Sequence, residues 1–308
     1  MKRRNFLKST VAGGLAAKAI GKAGDLPRRV YRDGIQLSIV GCGGMLVVDE
    51  EQKDADRYVA EAYDRGVNYF DVAPSYGQDG EAEIKLGLAL KPYRKNVFLA
   101  CKTGKRDAAG ARQELEQSLR RLYTDHVDLY QFHAVSSMKD VEQILGPGGA
   151  AETFLAAKKE GKARHLGFSA HSAEAAIALM DRFQLDSVLF PVNYVLFSQG
   201  NFGPQILEHA RRKGLARMSL KSLSQTSWGK NEVRAYKKCW YKPIDDRSLA
   251  GKSLRFTLSQ DITAAIPPGE AKLFRMALDI ASVFKPLSEQ EKKDLLASAV
   301  GFEPIFRA

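Results

Sequence analysis

The chain has 308 residues, 44% of them hydrophobic, which is enough apolar material for a packed core and argues against a disordered protein. Its formal net charge of +11 would suggest an acidic partner, but residues 1–23 hold six basic residues and no acidic one, and without them the charge is +5. We therefore expect no nucleic-acid partner, and the three separated cysteines, which form no CxxC pair, support neither a disulfide framework nor a metal site.

The N-terminus begins with a basic pair, Arg3-Arg4, followed by Phe-Leu-Lys and a weakly apolar stretch rich in alanine and glycine. This pattern resembles a bacterial twin-arginine export signal over residues 1–23. The stretch is too short and too rich in glycine for a stable membrane span. The resemblance implies export to the periplasm by the twin-arginine machinery. The alternative is a retained basic helix or a disordered arm, which would leave the protein in the cytoplasm.

After the leader, Asp33-Gly34 lies between alternating apolar residues and predicts a β-hairpin. Strand-like runs then alternate with amphipathic helical patterns. The predicted strands cover 35–41, 67–72, 97–102, 126–132, 164–169, 187–192, 216–221 and 262–267, and helical patterns cover 54–65, 112–123, 152–159 and 204–213. Residues 222–247 form a long segment that either covers a ligand or packs on the outside of the domain.

Eight strands alternating with helices predict an α/β protein, either a closed (β/α)8 TIM barrel or an open doubly wound sheet. An open sheet would place a GxGxxG motif after its first strand, and Gly41-Cys42-Gly43-Gly44 lacks that spacing. We therefore predict a TIM barrel with an N-terminal β-hairpin and C-terminal helices over residues 27–308.

Four polar residues end or follow the predicted strands: Asp71, Tyr76, Lys102 and His133. Because the carboxyl ends of parallel strands share one rim of a barrel, their side chains should converge there. A tyrosine that donates its proton, beside a lysine that lowers its pKa, is a proton-transfer arrangement. Singly, Asp71 could be a helix cap, Tyr76 a loop aromatic and His133 a core histidine. Together, the four residues favour a functional site.

Four motifs occur in order along the chain: NYFDVAPSYG (68–77), CKTG (101–104), DHVDLYQFH (125–133) and GKARHLGFS (161–169). Together they resemble the aldo-keto reductase superfamily over about residues 30–285. The resemblance implies a barrel plugged by the hairpin, with a nicotinamide cofactor bound across its C-terminal face without a Rossmann domain. It also implies an enzyme that reduces an aldehyde or ketone, or oxidises the corresponding alcohol or sugar hydroxyl.

The resemblance implies a role for each of the four polar residues. Tyr76 would be the general acid, Lys102 the cation beside it, Asp71 the partner of Lys102, and His133 a hydrogen-bond donor to the carbonyl or a proton relay. The residues it implies for cofactor binding lie after several strands: Gly43, Gly44, Met45, Ser169, Asn193, Lys221 and Gly269. His171 either joins the same pocket or only begins a helix.

The chain departs from the family pattern after the eighth strand. Many members carry a Lys-Ser pair there, with an arginine beyond, that holds the 2′-phosphate of NADPH. Here the strand continues as Pro267-Pro268-Gly269-Glu270, and Lys272 and Arg275 are the available substitutes. We expect NADP as the cofactor, with NAD as the alternative.

Two other functions remain open. The barrel could bind a nucleotide without catalysis, as a sensor or scaffold, in which case Tyr76→Phe would change nothing. It could also be an exported sugar enzyme that keeps its cofactor bound and uses it transiently. All three functions imply a small-molecule ligand, and substrate loops vary freely on a shared barrel, so the sequence leaves the substrate undefined.

Overall fold

The computed structural model describes residues 26–308, so the leader expected over residues 1–23 lies outside the described residues. The first described element is an antiparallel hairpin of β1 (Arg28–Arg32) and β2 (Ile35–Ser38). Its turn residues Asp33 and Gly34 have φ values of 50° and 80°, which suit an Asp-Gly pair. The hairpin predicted from the sequence is confirmed.

The hairpin closes the N-terminal end of the barrel. The Tyr31 hydroxyl donates to Ser187 Oγ at 3.1 Å, and Leu37 is fully buried. These side chains pack on a small interior cluster that includes Tyr69, Phe98 and Leu129. The barrel interior is therefore filled at this end, and only its opposite end can admit a ligand.

Eight parallel strands form the barrel wall. They are β3 (Cys42–Gly43), β4 (Tyr69–Asp71), β5 (Phe98–Thr103), β6 (Val127–Val135), β7 (Ala163–Ala170), β8 (Ser187–Pro191), β9 (Ala216–Leu220) and β12 (Ala264–Ile266). A parallel bridge from Val40 to Ala265 brings the two edges of the sheet together. The predicted TIM barrel is confirmed.

The predicted strand 35–41 is wrong in its extent. Its first half is β2 of the hairpin, and the first barrel strand is the short β3 that follows. A continuous apolar run does not show where a chain leaves one sheet for another, which explains the error.

Ten α-helices are present among residues 26–308. They are α1 (Gln52–Asp64), α2 (Glu81–Leu90), α3 (Ala108–Arg121), α4 (Met138–Leu145), α5 (Ala150–Lys159), α6 (Ala173–Arg182), α7 (Pro204–Arg212), α8 (Arg247–Ser259), α9 (Ala271–Ser282) and α10 (Glu289–Ala297). Several of these helices start at a residue whose side chain caps the first turn; Ser137 and Asp140, for example, form a capping box at the start of α4. Their apolar faces and the outward side chains of the strands form the main hydrophobic core.

Side chains in the strands alternate between the helices and the barrel interior. In β5, Leu99 and Cys101 pack in the outer core, whereas Phe98 and Ala100 belong to the interior cluster. The period of two therefore places Lys102 inside the barrel at its C-terminal end.

Among residues 26–308, none of the helices combines the length and the apolar composition that a membrane span needs.

Gly87 of α2 allows that helix to approach the end of α3. A Cβ at this position would lie 2.6 Å from the Cα of Leu122 and 2.8 Å from the carbonyl oxygen of Arg121. We expect Gly87→Ala to lower the free energy of unfolding by about 1–3 kcal/mol, because backbone atoms would have to move. Gly251→Ala in α8, where a Cβ meets nothing within 4 Å, should raise it by about 0.5–1 kcal/mol. Urea unfolding followed by circular dichroism measures both changes, and a neutral Gly87→Ala would contradict the close approach.

Candidate active site

A buried ion pair lies at the C-terminal end of the barrel. Lys102 Nζ donates to Asp71 Oδ1, and the two side chains are 0% and 3% exposed. The same ammonium donates to the carbonyl oxygen of Val72 at 3.2 Å and to the Tyr76 hydroxyl at 3.3 Å. The structure thus brings together three of the four polar residues identified in the sequence.

The second carboxylate oxygen of Asp71 is also satisfied. It accepts from the Tyr69 hydroxyl at 3.2 Å and from Gln131 Nε2 at 2.9 Å. A buried ion pair is stable only when hydrogen bonds compensate for lost solvation, and these two donors provide that compensation. Neither residue was predicted from the sequence. Strand periodicity could have found them, because Tyr69 and Gln131 precede Asp71 and His133 by two positions and share their faces.

Charge compensation keeps Lys102 protonated. Burial alone would lower the pKa of Lys102, but the Asp71 carboxylate and the Tyr76 phenol more than offset burial, and the pKa is raised above its ordinary value. Because the ammonium is fixed by three acceptors inside the barrel, it presents a permanent positive charge to the Tyr76 oxygen.

Tyr76 lies in the loop after β4 and is partly buried. Its backbone is held at both ends, because its N–H donates to Ala73 and its carbonyl accepts from Ala82. Burial raises the pKa of Tyr76, and the nearby Lys102 offsets this only in part. The expectation that Lys102 holds down the pKa of this tyrosine is therefore confirmed, but burial outweighs the lysine and raises the pKa overall. At neutral pH the phenol keeps its proton and is a donor.

His133 completes the group. Its ring meets the Tyr76 ring edge to face, with centroids 5.7 Å apart. Burial, and then the positive charge of Lys102, lower the pKa of His133 to about 3. The imidazole is therefore neutral near pH 7 and can donate one hydrogen bond without carrying a charge.

A cavity of about 240 Å³ opens above these four residues, and all four line it. The predicted cofactor residues that also line it are Gly43, Met45, Ser169, Lys221 and Gly269. His171 lines it too, immediately before the Ser172 cap of α6, and stacks on Phe306 of the C-terminal tail. Of the two alternatives for His171, the structure therefore supports the first, because the residue joins the pocket.

Two predicted cofactor residues do not line the cavity. Gly44 begins a 3-10 turn, and a Cβ there would lie 2.7 Å from Val72 Cγ2. Asn193 is buried, donates to the carbonyl oxygen of Lys221 at 3.0 Å and accepts from the Leu196 N–H at 2.9 Å. These contacts place Asn193 behind Lys221, as a support for the loop that carries it.

The chemistry of the cavity fits an anionic dinucleotide. A Cβ at Gly43 would lie 2.9 Å from Ile266, and a Cβ at Gly269 would lie 2.5 Å from the carbonyl carbon of Met45. Only glycines at these two positions allow the ends of β3 and β12, and the loops that follow them, to approach this closely. Lys221 adds a positive charge, and its ammonium pairs with no carboxylate in the described part of the chain. This ammonium lies instead near the rings of Trp240 and Tyr241.

Residues 222–247, the long segment after β9, cover one side of the cavity. This is the first of the two alternatives given for the segment, a cover for a ligand or an insertion packed on the outside of the domain. The segment contains a short antiparallel pair, β10 (Ser224–Ser227) and β11 (Tyr241–Pro243). Just before β11, Lys238 lines the cavity and donates to Glu50 at 2.7 Å and to the carbonyl oxygen of Leu46 at 3.2 Å. The adjacent Trp240 and Tyr241 line the cavity and were not predicted. Among residues 26–308, no group of three or more potential metal ligands occurs.

This chain is similar in sequence and in fold to known oxidoreductases. The sequence model of the Aldo/keto reductase family matches residues 40–292. The oxidoreductase YqkF of Bacillus subtilis is 27% identical over 297 residues, which cover 87% of this chain and 94% of YqkF. L-galactose dehydrogenase of Arabidopsis thaliana is 27% identical over 210 residues, which cover 64% of this chain and 65% of the dehydrogenase. The holo structure of an aldo-keto reductase from Bacillus halodurans has the same fold, with a TM-score of 0.70 at 21% identity. The superposition covers 92% of this chain and 100% of the Bacillus halodurans chain.

Proposed function

The chain belongs to the aldo/keto reductase family, and on that basis we propose that it reduces an aldehyde or ketone with a nicotinamide cofactor, or oxidises the corresponding alcohol or sugar hydroxyl, with Tyr76 as the proton donor. The observation that carries this proposal is the Tyr76 hydroxyl, held 3.3 Å from the ammonium of Lys102 in the wall of the cavity.

When bound, a reduced nicotinamide supplies hydride to the carbonyl carbon. The protein must then deliver a proton to the carbonyl oxygen, and the Tyr76 hydroxyl is the donor in the cavity wall whose conjugate base would be stabilised by an adjacent cation. Lys102 provides that cation, and Asp71 keeps it charged and oriented. The neutral His133 imidazole donates a hydrogen bond to the same oxygen. In the reverse direction the Tyr76 oxygen accepts the proton of the alcohol.

We propose NADP as the cofactor, held by Lys221 and by the glycine loops at positions 43 and 269. Lys272 is exposed, and among the described residues its ammonium donates only to the Tyr236 hydroxyl at 3.3 Å, a contact that a 2′-phosphate could replace. Arg275 favours the alternative, NAD, because its guanidinium is already engaged by both carboxylate oxygens of Glu61 at 2.7–2.9 Å. Fluorescence titrations with NADPH and NADH decide the choice, and tighter binding of NADH would overturn the NADP assignment.

Lys221 gives cofactor binding an expected pH dependence. Burial is the main cause that lowers the pKa of Lys221 to about 8. As pH rises through this value the ammonium loses its proton, and its attraction for a phosphate is lost. The dissociation constant of NADPH should therefore rise several-fold between about pH 7 and about pH 9. Lys221→Arg keeps its charge over this range and should remove most of the effect. An identical slope in both proteins would contradict a phosphate contact at Lys221.

For the substrate we propose a small carbonyl compound or sugar. A related protein is named L-galactose dehydrogenase, and the cavity here combines hydrogen-bonding groups with the aromatic rings of Trp240 and Tyr241. An aromatic face with nearby polar groups suits a polyhydroxylated ring, whose C–H groups pack on the aromatic surface.

We also propose that residues 1–23 direct export of the folded protein to the periplasm. Mass spectrometry of the protein purified from its native compartment would show both the mature N-terminus and any bound nucleotide. A full-length protein retained in the cytoplasm would overturn the export proposal and leave the enzymatic one standing.

A screen of aldehydes, ketones and sugars with NADPH and NADH, followed by absorbance near 340 nm, tests the proposed reaction. Oxidation of the cofactor with at least one carbonyl is the expected result. Tight cofactor binding without turnover on any substrate would favour the sensor or scaffold alternative. Conversion of a sugar without net cofactor oxidation would favour an enzyme that uses a retained cofactor transiently.

A further inference from the structure

His133 lies where strand β6 departs from regular pairing. The register between β6 and β7 shifts between Phe132 and Val135, and Ala134 has a φ of 53°, in the left-handed region that alanine rarely adopts. A bulge changes the direction of neighbouring side chains and frees backbone groups from the sheet. The orientation of His133 toward the cavity and Tyr76 therefore depends on what holds this bulge.

The side chain of Arg106, from the loop between β5 and α3, holds the bulge. Its Nη2 donates to the carbonyl oxygen of His133 at 2.8 Å and to that of Ala134 at 3.4 Å. From the neighbouring strand, Ser169 Oγ accepts from the Ala134 N–H at 2.7 Å. The guanidinium and the serine hydroxyl thus replace the backbone partners that a regular strand would supply.

Arg106 is itself fixed. Its Nε donates to Asp140 Oδ1 at 2.9 Å, and its carbonyl accepts from the Ala150 N–H at 2.8 Å. Asp140 Oδ2 accepts from the N–H groups of Ser136 and Ser137 at 2.9 and 3.2 Å. Burial opposes ionisation, but these hydrogen bonds and Arg106 lower the pKa of Asp140 to about 2. The carboxylate therefore anchors the guanidinium at any working pH.

Arg106 also contributes to the charge around His133. The Tyr76 ring packs against this imidazole. Burial is the largest cause that lowers the pKa of His133, and four nearby cationic or titratable side chains add to it: Lys102, His171, Arg106 and Lys221. Removing the guanidinium would remove one of these positive charges from the surroundings of the ring.

We propose that Arg106 is a positioning residue for His133, which fixes the bulge at Ala134 and so directs the imidazole into the cavity. Arg106 does not line the cavity, and its contacts with the site are those to the carbonyl oxygens of His133 and Ala134. The inference rests on the function proposed above for the site that contains His133.

Two substitutions separate the geometric effect of Arg106 from its charge. Arg106→Lys keeps a positive charge but cannot contact both carbonyls and the Asp140 carboxylate together, whereas Arg106→Met removes the charge as well. The matched control is Arg112→Met, which removes a surface arginine bound to Glu160 through two hydrogen bonds of 2.8 and 2.7 Å.

Steady-state kinetics, NADPH titration and histidine NMR give the readouts. We expect kcat to fall about 10- to 100-fold in both Arg106 variants, with NADPH affinity within about two-fold of the wild type. The His133 ring resonance should shift in both variants, and its pKa should rise only in Arg106→Met. Arg112→Met should match the wild type in every readout. If Arg106→Met does not fold, Arg106→Lys carries the test through kcat and the ring resonance.

The NMR readout keeps the inference independent of the proposed reaction. A wild type without hydride transfer overturns the proposed function, yet the His133 resonance still reports whether Arg106 positions the ring. Unchanged His133 resonances in both Arg106 variants would overturn the inference. A fall in NADPH affinity or melting temperature with no change at His133 would also overturn it, because that pattern indicates a general structural role.

Discussion

Tyr76→Phe is expected to lower kcat for carbonyl reduction about 10²- to 10⁴-fold while leaving cofactor affinity nearly unchanged. The substitution removes only the hydroxyl, whose pKa burial raises further above neutral, so that it carries its proton at pH 7. The ring can still pack against His133, so the cavity keeps its shape. Absorbance near 340 nm gives the rate, and NADPH fluorescence gives the affinity.

A matched control is Tyr130→Phe. Tyr130 is also buried, but its hydroxyl donates at 3.2 Å to the carbonyl oxygen of Ala111 in α3, on the outer side of the barrel. This variant should lose about 1 kcal/mol of stability and keep its kcat. A Tyr76→Phe enzyme that retains wild-type kcat would show that the proton comes from another group.

Lys102→Met is expected to lower kcat about 100-fold or more and to reduce the free energy of unfolding by about 3–5 kcal/mol. Lys102 has the dual role of cation for Tyr76 and counter-charge for Asp71. Without it, the Asp71 carboxylate is buried with only the Tyr69 and Gln131 hydrogen bonds. Urea unfolding and steady-state kinetics measure the two effects separately.

The double variant Asp71→Asn with Lys102→Met distinguishes stability from catalysis. An amide at position 71 is neutral and can still accept from Tyr69 and Gln131, so much of the lost stability should return. The cation beside Tyr76 is still missing, so activity should not return. Recovery of activity along with stability would show that Lys102 serves only to hold the fold.

Much of this site follows from strand periodicity. A period of two and the shared rim of parallel strands are enough to bring Asp71, Lys102 and His133 together before any contact is known. The Asp33-Gly34 turn likewise identifies the hairpin from a local backbone preference. These features were predictable because each depends on residues close in sequence or on the repeat of the barrel.

Other features depend on contacts between distant segments. The Lys238 bridge to Glu50 and the placing of Trp240 over the cavity come from a segment without periodicity. The raised pKa of Tyr76 depends on how deeply the loop buries it, which outweighs the lysine that the sequence makes visible. The support of His133 by Arg106 needs a bulge, and no local pattern marks where strand β6 is interrupted.

Isotope transfer most directly tests the claim that this cavity passes hydride to a carbonyl carbon while Tyr76 protonates its oxygen. The experiment uses NADPH deuterated on the transferred face of C4, or NADH if that binds more tightly, and the best carbonyl from the substrate screen. Mass spectrometry should find one deuterium on the former carbonyl carbon of the product, formed fast by the wild type and about 10²- to 10⁴-fold more slowly by Tyr76→Phe. A product without deuterium, or equal rates for the two proteins, would contradict the claim.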